Sequence, residues 1–269
     1  MPTTSDILAR NNVRISGRGR QPMLFAHGFG CDQSLWKLVT PAFEATHQVI
    51  VFDYVGSGDS DRLAYDPVRY NTLDGYTRDV LDICEALSLR DVVFVGHSVS
   101  SMIGMLAAIA QPERFSHLLM VAPSPCYTNE PPDYIGGFEH SDIASLLSMM
   151  DHNGLDWASF LAPNVMQNPE RPELTDALHD TFCKTDPIIV RQFAEVTFCT
   201  DLRHRLHECR TPSLILQCSD DAIAPVEVGR HLQRHLPGST LQQMTATGHC
   251  PHVSHPAETV AHMQAYLRR

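Results

Sequence analysis

The sequence predicts an α/β fold: a mostly parallel central sheet covered by helices on both faces, with an all-helical segment inserted between two strands. Three observations predict it. Short apolar runs alternate with longer amphipathic segments, the pattern of strands joined by crossover helices. Most of the runs are too continuously apolar to be half exposed, which places them in a sheet buried on both sides. The alternation then stops between residues 123 and 202, where proline-rich turns (PSPCY, NEPPDY) open a stretch of helical spacing alone.

Taken in order, residues 12–16 add an edge strand, and strands follow at 22–26 (PMLFA), 48–52 (QVIVF), 92–95 (VVFV), 117–121 (HLLMV), 213–217 (SLILQ) and 240–244 (TLQQM). Between them, segments 73–87, 101–109, 226–235 and 256–267 repeat apolar residues at helical spacing. The interrupting segment holds about four helices, at 141–150, 157–166, 172–183 and 187–198. A helical insertion in a sheet protein packs on the sheet's edge or top, so residues 1–122 and 203–269 are expected to form the core and 123–202 a four-helix lid.

The 20 Lys and Arg against 31 Asp and Glu leave a net charge of −11, which argues against nucleic acid as a partner because a phosphate backbone needs a basic surface. No run approaches the ~18 apolar residues of a membrane span, and residues 1–17 lack the apolar stretch of a secretory signal, so a cytoplasmic protein without membrane association is expected. The eight cysteines are scattered with no CxxC pair, which predicts free thiols. Fifteen histidines raise the question of a metal.

After the strand VVFV comes Gly96-His97-Ser98-Val99-Ser100 and then an apolar helical segment. A serine at the apex of a strand–turn–helix is the nucleophile elbow of α/β-hydrolases, where the flanking residues must be small for strand and helix to approach. Gly96 satisfies this. Ser100 stands where glycine is usual, but is small. A serine in such a pentapeptide is as often an ordinary strand–helix turn, so the rest of the constellation decides. The order for this fold is serine, acid, histidine. SLILQCSDDAIAP places Asp220 and Asp221 directly after one late strand, and LQQMTATGHCPH places His249 after the next. Asp221 is preferred because it begins the turn DAIAP, leaving Asp220 to cap or solvate it.

His249 competes with His252 and His255. Gly248 before it allows a tight turn, His255 precedes the proline that opens the last helix, and His252 is expected to be a hydrogen-bonded structural residue. The three match no metal-ligand spacing, so no metal is expected. Oxyanion donors are expected from the backbone N–H of Val99 and from Phe29 in His27-Gly28-Phe29-Gly30, which follows an early strand. FDYVGSGDSD lacks the third glycine of a dinucleotide fingerprint, because Asp61 occupies that place, and there is no GxxxxGK[ST] loop. No cofactor is therefore expected.

Together LFAHGFGCDQSLW, VIVFDYVGSGDSD, YNTLDGYTRDVLDICEAL, FVGHSVSSMIGMLA, MVAPSPCY, ILQCSDDAIAP and GHCPHVSHP resemble the RsbQ-like α/β-hydrolases of bacterial stress signalling, whose family includes the plant strigolactone and karrikin receptors. The resemblance covers essentially the full chain. It implies a triad of Ser98, Asp221 and His249, oxyanion amides at Phe29 and Val99, a four-helix lid over an enclosed apolar pocket, and a PAS-domain phosphatase as a protein partner. Two positions depart from the pattern, His27 in place of proline and Ser100 in place of glycine. Candidate pocket walls are Trp157, Phe160, Phe193 and Phe198 from the lid, with Phe29, His97, Val99 and Tyr127 below. Such a pocket favours a small hydrophobic ester or lactone. Three functions follow as alternatives: a serine esterase or lactonase, a signalling receptor keeping the same triad, and a haloperoxidase-like or C–C hydrolase on the same scaffold.

Overall fold

The computed structural model describes residues 3–152 and 156–268, so residues 1, 2 and 269 of the expected core segments and 153–155 of the expected lid lie outside the described residues. Helix α1 (Thr4–Arg10) opens the chain, followed by β1 (Arg14–Ser16), β2 (Gln21–Ala26), β3 (His47–Val51), α2 (Leu73–Ala86), β4 (Val92–His97), α3 (Val99–Ala110) and β5 (Phe115–Val121). Four helices come next, α4 (His140–His152), α5 (Asp156–Met166), α6 (Pro172–Cys183) and α7 (Pro187–Phe198). The chain closes with β6 (Ser213–Gln217), α8 (Val226–His235), β7 (Ser239–Gln243), α9 (Pro251–Ser254) and α10 (Pro256–Leu267).

The seven strands lie in the order β1-β3-β2-β4-β5-β6-β7, parallel except for β1, which runs antiparallel to β3 at the edge. Alternate residues of each strand face opposite sides, and in β2 to β6 both sides are apolar. Leu24, Ala26, Val92 and Phe94 join the core under α2, α3 and α8, while Met23, Phe25, Val93 and Val95 join a second core with Trp36, Phe43 and Met263 of α10. This double burial is why the strands read as continuous apolar runs. The sheet grows outward in both directions from the β2–β4 pair, so the loops leaving the C-terminal ends of β2 and β4 diverge there and open a crevice.

The four inserted helices pair as α4 with α7 and α5 with α6. The two ends of the insertion are tied together, since Cys126 and Asp201 form an antiparallel bridge and Leu202 N–H donates to the Pro125 carbonyl at 2.8 Å. Prolines 172, 187 and 256 each sit in the first turn of their helix, where the missing N–H costs no hydrogen bond. All eight cysteines are free thiols. Among the described residues no helix is long and apolar enough to cross a membrane.

Candidate active site

β4 ends at His97 and α3 begins at Val99, leaving Ser98 at the turn with φ 56° and ψ −126°. A positive φ is strained for serine, and the surroundings hold it there. Ser98 N–H donates to the Val121 carbonyl at 2.8 Å, and the Ser98 carbonyl accepts from Ser101 N–H at 2.9 Å. Gly96 is required for the close approach, because a Cβ there would lie 2.6 Å from the Ser100 carbonyl.

The turn aims Ser98 Oγ at His249 Nε2, 2.7 Å away, and His249 Nδ1 lies 2.8 Å from Asp221 Oδ2. Asp221 Oδ1 accepts the N–H groups of Ile223 and Ala224 at 2.9 and 3.1 Å, so three donors fix this carboxylate. With Nδ1–H turned to Asp221, the bare Nε2 faces the serine hydroxyl. All three side chains are buried. Asp220 is exposed. Gly248, with φ +80°, lets the histidine loop lie against the end of α5, where His249 N–H donates to the Val165 carbonyl at 2.7 Å. Tyr127 OH is 3.0 Å from Ser98 Oγ and donates to it while the serine proton points at His249.

Val99 is the first residue of α3, so its N–H has no acceptor within the helix. The Phe29 N–H takes no part in the loop hydrogen bonds on the other side of the crevice. The loop that carries Phe29 is anchored through the two positions that depart from the family pattern. Ser100 Oγ donates to the His27 carbonyl and lies 3.0 Å from Tyr54 OH. His27 Nδ1 donates to the Gly28 carbonyl at 2.9 Å, and its Nε2 accepts the Tyr54 N–H at 3.2 Å. A glycine at position 100 would leave the His27 carbonyl without this donor.

Above Ser98 lies a cavity of about 20 Å³, bounded by Phe29, Tyr127, Leu161, Phe182, Phe198 and Ile223. That is room for about one water molecule. Phe29 is the hub of the aromatic packing, with ring centroids of Trp157 at 5.9 Å, Phe182 at 6.3 Å, Phe193 at 5.8 Å and Phe198 at 5.5 Å. On the far side of Leu161 and Ile223, which line both spaces, an outer groove of about 300 Å³ runs between α4 and α5.

A family model described as the alpha/beta hydrolase family matches residues 23–262. The chain belongs to that family. It is 38% identical over 247 residues to the karrikin insensitive 2 receptor CA of Petunia hybrida, covering 91% of each chain. It is 36% identical over 265 residues to the strigolactone esterase D14 of Arabidopsis thaliana, covering 98% of each. Among solved structures, a hydrolase from Oleispira antarctica, olei00960, superimposes with a TM-score of 0.97 at 42% identity, covering 100% of this chain and 98% of that one.

Several expected pocket residues of this alpha/beta hydrolase lie elsewhere. Phe160 is 56% exposed and borders the outer groove rather than the cavity. The buried stripe of α5 runs through Trp157, Ala158, Leu161, Ala162, Val165 and Met166, and Phe160 falls on the opposite side. Trp157 and Phe193 stand one layer back, against Phe29, and Phe193 stacks on Tyr76 at 4.3 Å. His97 borders the cavity, but its Nε2 donates to the His249 carbonyl at 2.8 Å. Phe29, Tyr127 and Phe198 line the cavity. Leu161 and Ile223 were missed, although signals for both exist. Leu161 is one helical turn from Trp157, and Ile223 is held in the turn that Asp221 caps.

His252 was expected to be hydrogen-bonded, and it is not. It is fully buried between Trp36 and His97, with ring centroids at 4.4 and 4.3 Å, and neither ring nitrogen has a partner in the protein. Among the described residues no group of three or more His, Cys, Asp or Glu is placed to hold a metal ion. Burial, with the neighbouring His249, pushes the His252 imidazole down to about 3. Burial, then His252 and His249, pushes His97 well below the ordinary imidazole range. A histidine neutral when folded but protonated at about 6.5 when unfolded takes up protons on unfolding, so stability falls as pH drops below about 6.5. Two such residues make the protein about 2–3 kcal/mol less stable at pH 5.5 than at pH 7. Denaturant unfolding at the two pH values checks this, and His252→Phe is expected to shrink the difference by about 1 kcal/mol.

Proposed function

We propose that the protein hydrolyses a small hydrophobic ester or lactone through a Ser98–His249–Asp221 triad and an acyl-enzyme. The observation that carries this reading is the hydrogen-bonded chain from the strained Ser98 through His249 to a carboxylate fixed by three donors. His249 takes the Ser98 proton as Oγ attacks the carbonyl carbon, and Asp221 stabilises the imidazolium. The backbone N–H groups of Phe29 and Val99 receive the oxyanion. The proton passes from His249 to the leaving alkoxide, and water then repeats the sequence on the acyl-enzyme to release the acid. The apolar aromatic surround favours an uncharged substrate, since an ionic one would lose its hydration without a partner.

Residues 123–202 act in this reading as a lid on the core segments 1–122 and 203–269. A cavity that holds one water admits no ester without side-chain movement, so Leu161 and Ile223 form the gate from the outer groove. Hydrolysis of p-nitrophenyl acetate, butyrate and octanoate by the purified protein tests the reading, and no turnover above background on any of them would sink it. Leu161→Ala combined with Ile223→Ala is expected to raise kcat/KM for the octanoate relative to the acetate by about tenfold, at a stability cost of roughly 4–10 kcal/mol for the pair.

A second reading is favoured by the match to a karrikin receptor. In it the same hydrolysis reports a ligand to a protein partner, in the manner of an RsbQ-type signalling protein. Pre-steady-state kinetics separate the two. A receptor gives one fast turnover and an adduct that persists, whereas a metabolic esterase releases the acid, regenerates free enzyme and keeps cycling at steady state.

A further inference from the structure

We propose that His97 is a positioning residue that sets the mutual placement of the nucleophile, the general base and the oxyanion loop. The inference rests on the triad reading above and adds to it a residue outside the triad.

Three contacts carry it. His97 immediately precedes Ser98, so its backbone forms the strand side of the elbow. Its ring crosses to the histidine loop, where Nε2–H donates to the His249 carbonyl at 2.8 Å. The opposite ring edge lies against the oxyanion loop, because a Cβ built on Gly28 would stand 2.5 Å from His97 Nδ1. One imidazole thus touches all three loops that must converge on a carbonyl carbon.

The His249 backbone is held from both sides. Its N–H donates to Val165 at the end of α5, which belongs to the insertion, while its carbonyl is held by His97, which belongs to the sheet. When the inserted helices move to admit a substrate, the Val165 bond is the one exposed to that movement. The His97 bond is the tether that remains.

The surroundings keep His97 in the single protonation state this task needs. Its ring is packed on His252 at 4.3 Å and faces His249 at 5.1 Å, with Trp36 behind His252, and all of these rings are buried. Nδ1 has no hydrogen-bond partner in the protein. A second proton there would be a buried cation with nothing to accept it, beside the imidazole that becomes positive in the transition state. The lowering of His97 by burial and by the three neighbouring histidines, His252, His249 and His27, agrees with the geometry.

The test uses His97→Phe, which keeps a ring but has no donor, and His97→Gln, whose amide can reach the same carbonyl. On p-nitrophenyl butyrate, His97→Phe is expected to lower kcat about 10–100-fold with KM changed less than about threefold, and His97→Gln to recover most of the loss. Melting curves report the folded fraction, and kcat is expressed per folded protein. If the Phe variant does not fold, His97→Met serves as the donor-free comparison. Equal kcat for the donor-free and Gln variants, or a loss confined to the melting temperature, overturns the proposal while wild-type turnover keeps the hydrolase reading intact. A wild-type protein without turnover removes both.

Discussion

Ser98→Ala is expected to lower kcat for p-nitrophenyl acetate by about 10⁴–10⁶-fold while leaving the fold in place. The loss is large because the other groups of the triad have no work without the nucleophile, so removing Ser98 disables the set. Backbone geometry at the elbow does not depend on the hydroxyl. The bonds that hold φ at 56° run through the Ser98 N–H and carbonyl, to Val121 and Ser101, and alanine retains both. The removed Oγ leaves only Tyr127 OH and His249 Nε2 without a neighbour. A shift in melting temperature of a few degrees is the expected stability cost. Steady-state assay of the variant beside a circular-dichroism melt checks both parts, and activity within tenfold of wild type would contradict the assignment.

Asp221→Asn is expected to lower kcat by about 10⁴-fold, and Asp220→Asn to change it less than about twofold. The two residues are adjacent and chemically identical, so the pair isolates position from charge. Asp221 is buried, accepts three hydrogen bonds and touches His249 Nδ1 at 2.8 Å. An asparagine there can present its NH₂ to the ring, which turns the imidazole to the tautomer with a proton on Nε2 and leaves nothing to accept from Ser98. Asp220 is exposed, and its contribution to the site is a backbone carbonyl that takes the Gly248 N–H at 2.8 Å, which the substitution preserves. Comparable losses in both variants would place the acid elsewhere.

The sheet was legible because it is buried on both faces, so each strand from β2 to β6 announced itself as an apolar run bounded by turn residues. Helices opened by a first-turn proline were read with the same starts that the structure has, at Pro172, Pro187 and Pro256. Helix α1 escaped for the opposite reason. Its Thr3–Asp6 capping box is present, but Ile7 is its one buried residue, so there is no apolar stripe to read. Helix α9 is a single turn of four residues, too short for periodicity.

The same contrast runs through the candidate site. Ser98, Asp221 and His249 were read from local chemistry, each at a strand end with a turn that constrains its neighbours, and the structure brings the three side chains into one hydrogen-bonded chain. The cavity walls were found only in part, since which face of α5 looks inward depends on packing against α6 and α4. Phe160 was assigned by residue type, and the helix turned it outward. His97 and His252 are legible in identity but not in role. Nothing local announces that the ring of one holds the carbonyl of His249, 152 residues away, or that the ring of the other is buried without a hydrogen bond.

An acyl group carried by Ser98 can be trapped before water removes it. Acid quenching within the first turnover of p-nitrophenyl butyrate, followed by intact mass measurement and peptide mapping, reads it out. One butyryl group per protein is expected, located on Ser98 and missing from Ser98→Ala. A butyryl group on another residue, or full turnover by the Ser98→Ala protein, would contradict it.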